Sequence, residues 1–275
     1  MHPLAQLDHR YLWHPFTQMR DWLKREPILI VRGRGARVRD ARGREYLDAN
    51  ASIWTNLHGH HHPRINAAIR RQLDRIAHSS ALGLANAPAA RLGEQLVQAA
   101  NPPRRGPAAR LLRQPVLGKV FFSDNGSTAM EVALKLAYEF TRRSGRDARP
   151  RFLTLDGAYH GDTVGAVSLG HIDLFHKAYS GLLFPTDKVP APYCYRCAFN
   201  RARPERADAR DYRQCRWECL DALERKFAAQ ARRGNPYAAF VFEPLMQGAA
   251  GMIPQPAGWL RRAATHPDFA PRLAR

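Results

Sequence analysis

The chain has 275 residues, enough for one large α/β core or a large domain with a small appendage. A hydrophobic content of 45% without a long polar tract excludes a disordered chain, and no apolar run approaches the length that spans a bilayer. The formal charge is +19, yet only six of the 43 basic residues are Lys and the Arg residues are scattered along the chain. That distribution reads as a compositional habit, not a phosphate-binding stripe, so no nucleic-acid partner is expected. The opening MHPLAQLDHRYLWHPF has neither an apolar core nor a cleavage pattern, so no secretory leader and a cytoplasmic location are expected.

Residues 1–25 are mixed and aromatic-rich. Short strands are then predicted at Ile28–Val31, Ala36–Asp40 and Glu45–Asp48, separated by Gly33, Gly35 and Gly43. Pro63 opens a helix with Ile65, Ile69, Leu73 and Ile76 on one face, and a second helix is predicted over about 87–100. Residues 101–117 form a Pro/Arg-rich loop. Beyond it, Val120-Phe121-Phe122 reads as a buried strand, Ser127–Phe140 as a strong helix, and Arg151–Leu155 and Ala238–Phe242 as further strands. Alternating strands and helices imply an α/β fold with a mainly parallel sheet, whose ligands gather at the carboxyl ends of the strands.

Three segments in those positions carry chemistry. Between VFF and its helix lies Ser123-Asp124-Asn125-Gly126-Ser127-Thr128. Gly126 permits close backbone approach, and a helix N-terminus with free N–H groups favours an anion, so this is either a phosphate cradle or an ordinary N-cap. After RFLTL comes Gly157-Ala158-Tyr159-His160-Gly161-Asp162-Thr163. An aromatic, a His and an Asp between glycines suit a flat ring lying on Tyr159, or else a Gly-rich loop with a packed Tyr. The third is Glu243-Pro244-Leu245-Met246-Gln247-Gly248-Ala249-Ala250-Gly251, where Pro244 forces Glu243 out of helical geometry.

SDNGSTAMEVALK, DGAYHGDTVGAVSLG and EPLMQGAAG, in this order and spacing, resemble the class III, pyridoxal-phosphate-dependent aminotransferases. Two earlier stretches, LWHPFTQM at 12–19 and NASIWTNLHGH at 50–60, sharpen the resemblance, which covers roughly residues 7–260. They point to the members of biotin biosynthesis that move an amino group from S-adenosylmethionine to 8-amino-7-oxononanoate, giving 7,8-diaminononanoate. The resemblance implies the fold type I architecture, a mainly parallel sheet with helices on both faces. It also implies a homodimer and pyridoxal 5'-phosphate as cofactor. Gly126 and Ser127 match the phosphate loop, Tyr159 the residue on which the ring stacks, and His160 the position beside it. Asp162 and Glu243 match acidic residues near the cofactor, and the substrate pocket is expected at Phe16, Trp54, Tyr159 and Asp162. Domain boundaries are expected at 1–60 for the N-terminal segment and minor-domain meander and at 61–260 for the cofactor-binding domain. That second part carries a Cys-containing insertion near 190–220, and 261–275 forms an atypical tail.

Some positions depart from the family pattern. Many relatives carry Tyr where this chain has Phe16, and Ile53 stands where some have a second Trp. The family's Asp facing the pyridine nitrogen and the Lys that bears the cofactor have no counterpart among these residues, so the chain by itself is expected not to catalyse transamination. The four cysteines, Cys194, Cys197, Cys215 and Cys219, have a spacing close to that of a zinc site. They read either as a metal site or as four reduced thiols in a family insertion, and the second is the expectation. The tract His58, His60, His61 and His62 reads as turn and pocket residues. Two other readings remain. One is a class III transaminase of ω-amino acids or diamines, and the other is a basic zinc-knuckle binding module.

Overall fold

A computed structural model describes residues 1–101, 117–145, 149–202 and 210–264. The chain falls into two units, Met1–Ala90 and Arg91–Arg275. The helix opened by Pro63 therefore belongs with the first unit.

In the first unit, α1 (Pro3–Tyr11) starts on a proline, and the His2 side chain accepts the Leu4 N–H. A short α2 (Met19–Trp22) follows. The expected meander is present as β1 (Ile30–Arg34), β2 (Arg37–Asp40) and β3 (Glu45–Leu47), all antiparallel. Its hub is the Asp40 carboxylate, only 2% exposed. It accepts the N–H groups of Arg42 and Arg44, the Arg44 guanidinium at 2.7 Å and the Tyr46 hydroxyl at 2.9 Å. Burial alone would raise its pKa, but these donors hold it at about 2.

Next, α3 (Ala51–Trp54) is a left-handed turn, with φ between 49° and 64° at all four residues. Such a conformation is disfavoured for non-glycine residues. Asp48 holds it, accepting both the N–H and the hydroxyl of Ser52, and it also pairs with His60 at 2.9 Å. His60 in turn packs on Gly33, where an added Cβ would come within 2.7 Å of the imidazole. The helix α4 (Pro63–Leu73) follows as expected, although Ile65, Ile69 and Leu73 are exposed, and the expected α5 (Ala87–Ala100) begins in this unit and lies mostly in the second.

Beyond α5, the second unit continues with α6 (Gly126–Arg143). Its N-terminus is closed by a reciprocal capping box between Asn125 and Thr128. Then come β4 (Phe152–Leu155), α7 (Val164–Leu169), the short α8 (Asp173–His176) and β5 (Asp187–Val189). After these lie α9 (Glu218–Arg232), β6 (Ala239–Val241), the small antiparallel pair β7 (Met246–Gln247) and β8 (Ile253–Pro254), and α10 (Trp259–Ala264).

The sheet order is β5-β4-β6, with both pairings parallel. All four β4 residues are buried. Successive side chains of a strand face opposite ways, so Leu153 and Leu155 pack with Leu223, Phe227, Trp259 and Ala263 from α9 and α10. Phe152 packs on the other side with Leu134 of α6 and Leu169 of α7. Helices thus cover both faces, as a parallel sheet requires.

Two expectations are corrected. Val120-Phe121-Phe122 is not a strand, and Phe121 is 69% exposed. Both sides of β4 are occupied by β5 and β6, and among the described residues no strand pairs with VFF. Hydrophobicity signals a wish for burial, but a strand also needs a neighbour for its N–H and C=O groups. The tail expected from residue 261 begins inside α10, where Ala263 is a core residue. The Pro/Arg-rich loop lies almost wholly outside the described residues, and so do residues 265–275.

Truncating the central strand should cost more than truncating any surface position. Leu153→Ala is expected to lower the unfolding free energy by about 2–5 kcal/mol, through lost transfer energy and a residual cavity. Urea unfolding followed by circular dichroism checks this; a change within about 0.5 kcal/mol, as at a surface site, contradicts the core assignment.

Candidate cofactor site

The three motif segments meet at one end of the parallel sheet. At the N-terminus of α6, the Asn125 side chain takes the Thr128 N–H. The N–H groups of Gly126 and Ser127 belong to the first turn, which an α-helix cannot satisfy internally. A Cβ built at Gly126 would find nothing within 4 Å, so open space lies in front of it.

The loop after β4 docks directly onto this N-terminus. Asp162 N–H donates to Ser127 Oγ at 3.0 Å. Gly161, with φ 125°, sits so close that a Cβ would fall 2.0 Å from that oxygen. Only glycine meets both demands.

The segment after β6 closes the arrangement. Glu243 accepts the Tyr159 N–H at Oε1 (3.1 Å) and the Gly248 N–H at Oε2 (2.8 Å), bridging two loops with one carboxylate. The fully buried Gln247 donates to the Asp156 carbonyl, and Gln255 donates to the Glu243 carbonyl. Glu243 therefore acts as a brace for the loop carrying Tyr159.

Tyr159 is half-buried, and its hydroxyl donates to Asp162 Oδ2 at 2.6 Å. Burial first, and this bond second, push its pKa up to about 12, which keeps the phenol a neutral donor. His160 sits beside it with a buried Nε2 that has no hydrogen-bond partner among the described residues, and burial lowers its pKa to about 4. A neutral imidazole with an unsatisfied nitrogen at a loop junction is the kind of buried polar atom that a ligand would satisfy. Sequence reasoning missed His176, which pairs with Asp162 and stacks on Tyr159. Nothing local marks it, because it lies in a separate short helix.

Phe16 and Trp54 lie in the first unit, both exposed and both with positive φ. The cysteines lie elsewhere in the second unit. All four are free thiols, and Cys194 is buried. Asn200 gathers their segments, donating to the Cys194 carbonyl and accepting the Gln214 N–H. Burial, then the neighbouring thiols, push Cys194 to about 11 and Cys219 to about 12. Among the described residues no group of three or more His, Cys, Asp or Glu is arranged to hold a metal ion. A cavity of about 960 Å³ opens beside Leu134, Tyr138 and Phe152, and Gly126, Ser127, Tyr159, His160, Asp162 and Glu243 do not line it. No described helix is long and apolar enough to cross a membrane.

These features define an α/β protein whose candidate binding groups gather at a helix N-terminus and two strand-end loops. The family model for class III aminotransferases matches residues 19–268, and the chain belongs to that family. It is 47% identical over 258 residues to the adenosylmethionine-8-amino-7-oxononanoate aminotransferase of Geobacter sulfurreducens, covering 94% of this chain and 52% of that protein. The crystal structure of the Methanocaldococcus jannaschii protein of the same name superposes with a TM-score of 0.76 at 34% identity, over 95% of this chain and 51% of that one. An amine transaminase from an uncultivated Pseudomonas species, solved in a pyridoxal-phosphate-bound form, superposes with a TM-score of 0.75 at 28% identity, over 96% of this chain and 54% of that one. The chain spans about half the length of the curated relatives it matches.

The depressed pKa of His160 has a signed consequence. An unfolded chain protonates this His near 6.5 and the folded chain only near about 4, so stability is lost as pH falls through that window and is kept above it. His160→Gln is expected to flatten the pH dependence of urea unfolding between pH 6.5 and 4. An unchanged slope would mean that His160 is solvated.

Proposed function

We propose that the protein is a pyridoxal-phosphate-dependent aminotransferase of biotin biosynthesis, moving an amino group from S-adenosylmethionine to 8-amino-7-oxononanoate. The observation that carries the reading is the convergence of the α6 N-terminus, the Tyr159 loop and Glu243 at one sheet edge, in a chain of this family. The curated relatives bearing that substrate pair in their names support it over the ω-amino acid and diamine reading. A homodimer in the cytoplasm is the setting this reading carries.

The residues present fit the cofactor. The Gly126 and Ser127 N–H groups would hold its phosphate, with the helix dipole adding to the attraction. The Tyr159 ring would support the pyridine ring, and the unpaired Nε2 of His160 offers a polar partner beside it. When bound, pyridoxal phosphate supplies the electron sink of transamination. The chain's own task is orientation. Glu243 fixes the backbone of Tyr159, and Asp162 holds its hydroxyl. Asp162 and Ser127 tie the Tyr159 loop to the first turn of α6, which would fix the spacing between the groups that hold the cofactor's ring and its phosphate. Phe16 and Trp54 match the family's substrate-pocket positions by sequence.

Gly126→Asp tests the phosphate assignment. The side chain has room at Gly126, and an acidic residue in the first turn stabilises a helix. The fold should therefore keep its melting temperature. The same carboxylate repels a phosphate, so pyridoxal phosphate affinity should fall by about tenfold or more. Fluorescence titration of the full chain with pyridoxal phosphate measures this; affinity equal to that of the unsubstituted chain places the phosphate elsewhere.

A further inference from the structure

His176 has no counterpart among the residues singled out from sequence, yet it is the most enclosed ionisable side chain beside the candidate site. It is 3% exposed, whereas the side chain of its partner Asp162 is 43% exposed. Its two ring nitrogens have different tasks. Nδ1 lies 3.1 Å from the Ile172 N–H and accepts it, so in the neutral ring the proton resides on Nε2. Nε2 lies 3.2 Å from Asp162 Oδ1, and the other oxygen of that carboxylate takes the Tyr159 hydroxyl at 2.6 Å. The imidazole also lies nearly parallel to the Tyr159 ring, with centroids 6.1 Å apart and planes 9° apart. Phe175 and His171 pack against its edges.

The tyrosine is therefore fixed three times over: by Glu243 at its backbone, by Asp162 at its hydroxyl and by His176 beside its ring. Asp162 is the weak member, because an exposed carboxylate is free to turn towards water. A buried donor with a fixed tautomer removes that freedom.

We propose that His176 is a positioning residue, which orients the Asp162 carboxylate through Nε2–H and so holds the Tyr159 ring in the plane needed to support a flat aromatic cofactor. This rests on the cofactor reading above for its purpose, but the relay itself does not.

Two measurements on the full chain test it. In ring-nitrogen NMR, His176 is expected as the Nε2–H tautomer, with a signal that shifts in Asp162→Asn. An Nδ1–H tautomer, or a signal indifferent to that change, overturns the proposal. In pyridoxal phosphate titrations, His176→Phe keeps a flat ring and removes both nitrogens, and it is expected to weaken binding by about tenfold. His176→Gln restores an N–H donor near the Nε2 position and should recover most of that loss. Equal weakening by both variants, or by neither, counts against positioning through a donor. If the unsubstituted chain takes up no pyridoxal phosphate, the proposed function fails, and the tautomer experiment still decides the role of His176.

Discussion

The second unit depends on burying one short parallel strand from both sides. All four residues of β4 are enclosed, with Leu153 and Leu155 facing α9 and α10 and Phe152 facing α6 and α7. A parallel pairing leaves every strand end on the same edge, so the segments after β4 and β6 emerge side by side. The N-terminus of α6 reaches that edge as well. The candidate site is a consequence of this layering: it forms where the backbone of three segments runs out of sheet and helix partners together.

What turns proximity into geometry is a small number of charged and polar bridges. Glu243 spends both oxygens on backbone N–H groups from two loops, and Ser127 accepts the Asp162 N–H. Bonds to a carboxylate are stronger than neutral ones, roughly twofold, so a single residue holds two loops that have little apolar surface of their own. The unpaired Nε2 of His160 and the open space at Gly126 are the places where this bracing leaves something unfilled. The cysteine-bearing segment is organised differently, by Asn200 and backbone bonds, and its thiols remain free.

The first unit shows the same economy around Asp40 and Asp48. Each carboxylate gathers several donors from nearby residues and so secures a turn that apolar packing alone would not specify. At Asp48 this supports a left-handed turn ending at Trp54, which non-glycine residues adopt only when their surroundings compel it.

By itself, the sequence determined the elements whose signal is local. The meander between glycines, the Pro63 helix, the helix beginning near Ser127 and the strands at 152–155 and 239–241 all follow from turn chemistry and periodicity. It also placed the three motif segments at strand or helix ends. Only the tertiary structure decided which of these elements had neighbours. Hydrophobicity at Val120, Phe121 and Phe122 promised a strand, but pairing is a property of two segments, and none of the described ones takes up that edge. Tertiary structure likewise made Glu243 a brace across 84 residues of chain and brought His176 onto Tyr159. Such contacts join residues far apart in the chain, and their energy depends on distance and direction in space, which no spacing along a sequence encodes.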